Sequence, residues 1–354
     1  MRYTSRTVCP AKPARGFSLV EIMVGLAIGL LTMLVIMQVF ADYEGQKRTT
    51  TSSADAQENG QIALLTLERD IRMGGYGIAN SAAMGCVTRS SYNGVEQLPS
   101  RLLVPIQITN GASSDTVRVL YSASSHGAIT RIITVEHPPQ SSVIFINSKL
   151  GMAVDDFVIA FEPGKTCTLM QVTLVDNGLP KLHHQSTSPW NPPGGQNIFP
   201  KPNGYAKGAL LFNFGSLVDR TYRVDANKNL EAFDFSTQAT ETLADNVVNI
   251  QAQYGVAPAG SQSVNEWVDA TGVWAAPTPA NIKRIKAVRI AVVARSSLRE
   301  KAGVDGVCHT TPSAPISWPG GPAVDLTDDP DWQCYRYKVY ETIVPLRNVL
   351  WANL

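Results

Sequence analysis

The stretch Arg15-Gly16-Phe17-Ser18-Leu19-Val20-Glu21 leads into LVEIMVGLAIGLLTMLVIMQVF at residues 19–40, and the reading of this segment decides the fold. Those 22 positions carry one formal charge, Glu21. As a helix rising about 1.5 Å per residue they cover roughly 30 Å, the thickness of a bilayer's hydrocarbon layer. The run is too long for the ~7–15 apolar residues of a secretory signal, and the following ADYEGQK has no small-x-small cleavage site. A membrane-spanning helix over residues 17–40 is therefore expected. A carboxylate inside it costs about 2.5–3.5 kcal/mol, so Glu21 needs a cationic partner or a place among the headgroups. Gly25 and Gly29 form a small-xxx-small pair that lets helices approach closely in lipid.

Arg2, Arg6, Lys12 and Arg15 precede the span, whereas Asp42 and Glu44 mix with Lys47 and Arg48 beyond it. The positive-inside rule then leaves the N-terminus in the cytoplasm and exports the remainder. Cysteine usage agrees with that orientation. Cys9 lies before the span, and Cys86, Cys167, Cys308 and Cys334 beyond it make an even number suited to two disulfides in an oxidising compartment. Of the three possible pairings, Cys86 with Cys167 and Cys308 with Cys334 is favoured, because the second closes a short loop rich in Pro, Gly and Asp. The spacing lacks any CxxC element, which argues against zinc. With 30 Lys+Arg against 29 Asp+Glu there is no basic excess to hold nucleic acid.

From Asp42 to Arg72 the chain is free of Pro, so the helix is expected to continue to residue 73. Residues 44–60 are almost wholly polar, as in a stalk supported only within an assembly. The stripe Ile62, Leu64, Leu65, Leu67 and Ile71 is expected to dock on the domain that follows, with Gly74-Gly75-Tyr76-Gly77 stopping the helix. Residues 74–354 read as β-rich, with β-branched and aromatic runs near 102–108, 115–121, 129–135, 143–146, 156–162, 168–175, 209–214, 218–224, 230–235, 247–254, 284–294 and 335–344. Long Pro- and Gly-rich stretches at 185–208, 256–281 and 309–333 are expected to be contact surfaces. The fold class is thus α+β, a long N-terminal helix packed on a disulfide-containing β-rich domain.

The Gly16-Phe17 junction, with its short basic leader and Glu at the fifth position after Gly16, resembles the processing site of type IV prepilins. That resemblance implies a leader of residues 1–16 removed by a prepilin peptidase, a methylated Phe17 at the new N-terminus, and a pairing of its amine with Glu21 of a neighbouring subunit. Further along, QENGQIALLTLERDIRMGGYG at 57–77, DNVVNIQAQYG at 245–255, IKAVRIAVVARS at 285–296 and CYRYKVYETIVPLRN at 334–348 resemble the PilW family of type IV pilus minor pilins. The family implies a structural role in priming or capping a pilus, with other minor pilins, the major pilin and a PilY-type tip adhesin as partners. A minor pseudopilin of a type II secretion system is the nearest alternative, and a membrane-anchored periplasmic binding or hydrolase domain a more distant one.

The sequence carries no GxSxG, HExxH, P-loop or GxGxxG, so neither an enzyme, a cofactor nor a small-molecule substrate is expected. His183-His184 reads as a solvated loop, since no carboxylates stand at ligand spacing. Asp225, Asn227 and Asn229 alternate like a calcium loop, but Leu230 replaces the required Gly, so two strands joined by an Asx-rich turn are expected. Tyr335, Tyr337 and Tyr340 interleave with Arg336 and Lys338 in a pattern that could stack single-stranded DNA, although strand alternation explains it more simply.

Overall fold

The computed structural model describes residues 16–78, 82–124, 129–193, 198–314 and 316–351. Residues 1–15 of the expected leader, with Cys9, lie outside the described residues. Two compact units are distinguished, Met1–Ser52 and Ser53–Leu354.

Leu19–Met73 is a single 55-residue helix without Pro. In the first unit every residue from 16 to 48 is exposed. In the second unit the helix buries Ala56, Gly60, Ala63, Leu67, Asp70 and Ile71, a spacing of three and four that keeps one stripe inward. This corrects two expectations. Ile62 and Leu65 are 42% and 62% exposed, off the docking stripe. The end of the polar stretch 44–60 is no free stalk either, because small residues there let the domain come close. At Gly60 a Cβ would collide with the Tyr340 ring, so the aromatic packs directly on the helix backbone. Beyond Met73 the chain turns through Gly75 and Gly77 at φ +83° and +88°, values that glycine adopts without strain. The Gly75 N–H donates to the Leu120 carbonyl at 2.9 Å, tying the turn to a strand.

Five sheets follow. The five-stranded one runs Ala239–Ala244, Leu230–Asp234, Leu217–Val224, Thr116–Ser122, Ile106–Thr109, antiparallel throughout. The four-stranded one runs Glu266–Val268, Val247–Val256, Ile285–Arg295, Tyr337–Pro345, with Ile250 opposite Val292 and Val292 opposite Tyr340. Ala63, Leu67 and Ile71 of the helix share one core with Ile250, Val288, Ile290 and Val292 of the four-stranded sheet and Val117, Val119 and Tyr222 of the five-stranded sheet. A six-stranded sheet centred on Phe157–Phe161 and Cys167–Gln171 builds one further core with a three-stranded sheet and another with Leu120 and Leu217 of the five-stranded sheet, against which Tyr92 of a two-stranded sheet packs.

Cys86 bonds Cys167 and Cys308 bonds Cys334. Sequence separations of 81 and 26 residues give about 4.5 and 3.5 kcal/mol of stabilisation on the chain-entropy model. The first bridge pins a parallel pairing, Thr88 opposite Cys167, within the six-stranded sheet.

Strands at Val87–Arg89, Lys181–His183, Ala239–Ala244 and Glu266–Val268 escape the pattern search because they are short or polar on both faces. The run 102–108 is broken where Pro105 lacks a ladder donor. Two of the three long stretches are also not free contact surfaces. Trp190, Phe199 and Tyr205 anchor 185–208 in the core, and Trp318, Val324 and Leu326 fold 309–333 over Ala291 and Val293. Large aromatics in Pro-rich loops bury enough area to hold the backbone down.

Candidate functional site

Two constellations carry chemistry, one on the exposed part of the helix and one where its other end enters the domain. On the first, Gly16 and Phe17 precede the helix, and Phe17 is 79% exposed. Glu21, Gly25 and Gly29 follow at intervals of four, so successive members drift by only about 40° and form one stripe. A Cβ at either glycine would meet nothing within 4 Å, leaving the groove there open. The apolar window has a mean hydropathy of 2.5 and none of it is buried. Large side chains from Phe17 to Phe40 stand in the open, and at about 1.5–3 kcal/mol each their exposure to water would cost tens of kcal/mol. Lipid, or the flanks of like helices, has to cover them.

The second constellation centres on Asp70, which sequence reasoning missed. Its carboxylate is 1% exposed and accepts from Tyr222 Oη, from Tyr121 Oη at 3.2 Å and from Arg220 Nη1 at 3.2 Å. Arg220 Nε also donates to Asp234 at 3.1 Å. Burial, then the Asp70 charge, pushes Tyr121 up to about 12 and Tyr222 well above the usual phenol range, so both stay neutral donors. A helix carboxylate thus fastens to two strands of the five-stranded sheet. The available signal was an acid between Leu67 and Ile71 on the inward stripe, where apolar residues belong.

Other sequence candidates are absorbed by the fold. His184 is 6% exposed, which corrects the solvated-loop expectation, and its Nε2 lies 2.9 Å from Nε2 of buried His137. The two are 47 residues apart, so no local pattern announces the pair. Burial lowers His137 to about 4, and burial with the neighbouring histidines lowers His184 to about 3. Both are neutral when folded, while the unfolded chain protonates near 6.5. Their contribution is therefore full above pH 6.5 and lost as pH falls towards 4 and 3. Urea midpoints of the full chain in detergent should fall between pH 7 and 4.5, and His184→Asn should flatten that slope by about one proton. An unchanged slope in the variant would remove the pair from the account.

Asp225 Oδ1 accepts from the N–H groups of Asn227 and Asn229 at 2.9 and 2.7 Å, forming the Asx turn of a hairpin. Tyr335 lies under the Arg295 guanidinium, Arg336 pairs with Glu300, and Tyr337 and Val339 pack against the Trp318 cluster. That aromatic and basic cluster is used inside the domain. Among the described residues no group of three or more His, Cys, Asp or Glu could hold a metal ion.

Comparison with known families adds two matches. Residues 214–348 match the model of type IV pilus-assembly protein W, and residues 11–37 match the prokaryotic N-terminal methylation motif. No curated protein and no solved structure matches the chain. The first match spans the whole four-stranded sheet, and the second spans Gly16, Phe17, Glu21, Gly25 and Gly29. The 57–77 segment that carries Asp70 falls outside both.

Proposed function

We propose, for a chain that matches the PilW family of type IV pilins and carries its membrane-anchoring helix, that it is a minor pilin which primes or caps pilus assembly. A prepilin peptidase would hydrolyse the Gly16–Phe17 amide, and the freed Phe17 amine, once methylated, would pair with Glu21 of the adjacent subunit. The observation that carries this reading is the stripe of Glu21, Gly25 and Gly29 on an uncovered apolar helix directly after Gly16-Phe17. In a low-dielectric bundle an amine matched to that acid sets axial register, and the glycines allow close approach. The precursor would sit in the inner membrane with its domain in the periplasm. A structural family accords with a role without turnover.

The sheet edges support a partner on one side of the domain. Along Val247–Val256, the edge beyond the short strand Glu266–Val268 is closed by Ser114 and Asp115, whose groups bond Ile250 and Ala252 at 2.8–2.9 Å. Tyr337–Pro345 ends the sheet on the opposite side and, among the described residues, is paired on one flank only. The outward-facing backbone groups of its first seven residues, Tyr337 to Ile343, can accept a strand from another pilin or a PilY-type tip adhesin.

Mass spectrometry of the protein from cell envelopes tests the core of this reading, which requires a methylated Phe17 at the mature N-terminus; a chain beginning at Met1 would sink it. Deleting the gene should abolish piliation and twitching. Lost protein secretion with normal pili would instead mark a type II secretion pseudopilin.

A further inference from the structure

The stretch 256–281 walls a cavity of about 500 Å³, set between residues 258–262, the short helix Pro279–Ile282 and the start of Ile285–Arg295. Lys283, Arg284 and Lys286 line it, with no Asp or Glu. Lys286 is 3% exposed, and no hydrogen bond or ion pair with any described residue reaches its ammonium. Burial lowers its pKa. Its stem is packed away while its ammonium faces the cavity, so the charge is presented to whatever enters there. Arg284 is pre-set beside it: Nε donates to the Ala257 carbonyl at 2.9 Å, Nη1 to Asn281 at 3.2 Å, and the guanidinium lies 5.3 Å from the Trp274 ring centre.

The remaining wall is chiefly small and apolar, with Pro258, Ala259, Pro279 and Ala280. Three cations without an acid ask for an oxyanion, and the Pro and Ala wall asks for an apolar body attached to it. A space of this size holds a short peptide and far exceeds a free inorganic anion. We propose that this cavity binds a carboxylate presented by an extended peptide segment of a neighbouring protein subunit, with Lys286 as the counter-charge on its wall and Lys283 and Arg284 beside it. This site is independent of the helix stripe, so either can fail without the other.

The test uses the full chain in a non-ionic detergent, with Trp fluorescence and calorimetry as readouts. The probe is acetyl-Ala-Ala-Ala with a free C-terminal carboxylate, alongside its C-terminal amide and inorganic phosphate. The acid should bind saturably and weaken with salt, with the amide at least about tenfold weaker. Lys286→Met should abolish acid binding at a nearly unchanged Tm, since Met keeps the packed apolar stem and removes only the charge. Lys283→Ala, at an exposed position, should weaken binding several-fold at unchanged Tm. Equal binding of acid and amide, no binding of the acid, or phosphate binding where the peptide does not would each overturn the proposal. So would Lys286→Met binding like wild type, or losing Tm, which would make the lysine structural.

Discussion

Glu21→Ala should leave the protein synthesised, membrane-inserted and trimmed to Phe17, yet nearly absent from sheared filaments. The reasoning is electrostatic. With the acid gone, the Phe17 amine of an adjacent subunit would enter an apolar bundle unpaired, and breaking a buried pair in this way costs about 3–5 kcal/mol. By the affinity relation 3 kcal/mol is more than a hundredfold, so immunoblots of the filament fraction should fall by at least tenfold. Glu21→Asp keeps the charge on a shorter stem and should recover part of the signal. N-terminal mass analysis separates this from failed processing, because trimming depends on the Gly16-Phe17 junction. Wild-type incorporation of the alanine variant would mean that the acid has no part in assembly.

Asp70→Ala should be the most damaging single change within the domain. It strips the acceptor from Tyr222, Tyr121 and Arg220 at a site that is 1% exposed, leaving two buried hydroxyls and a guanidinium short of partners. A loss of about 3–5 kcal/mol is expected, read as a drop in the urea midpoint of the full chain in detergent. Asp70→Asn retains one acceptor oxygen and should lose less. Because the network joins helix to sheet, protease sensitivity should rise first around residues 56–74. Stability unchanged by the alanine variant would show that the apolar stripe alone holds the helix down.

The two predictions differ in how visible their residues were beforehand. Glu21 stands out because it is the only charge in 22 apolar positions, a local anomaly that needs no neighbours to be noticed. Asp70 sits in ERD among charged residues and looks like an ordinary surface acid until the fold places Tyr121 and Tyr222, 51 and 152 residues away, around it. The same holds for His184 with His137, and for the unpaired state of Lys286. Strands rich in Val and Ile, such as Ile285–Arg295, were legible from composition, whereas Ala239–Ala244, with four exposed residues in six, was not.

Local pattern in the chain by itself determined the apolar helix, the Gly-Phe junction, the glycine turn after residue 73, the β-rich character of the remainder and the Asx hairpin. Each depends on residues within one or two turns of one another, where periodicity and backbone preference act directly. Only the tertiary structure decided which side of residues 53–73 faces inward, which loops are tethered by aromatics, which sheet edge stays open and which charges are paired. Those outcomes depend on what a side chain meets after burial, and the cost of burying a charge or polar group is set by partners that the chain brings from far away.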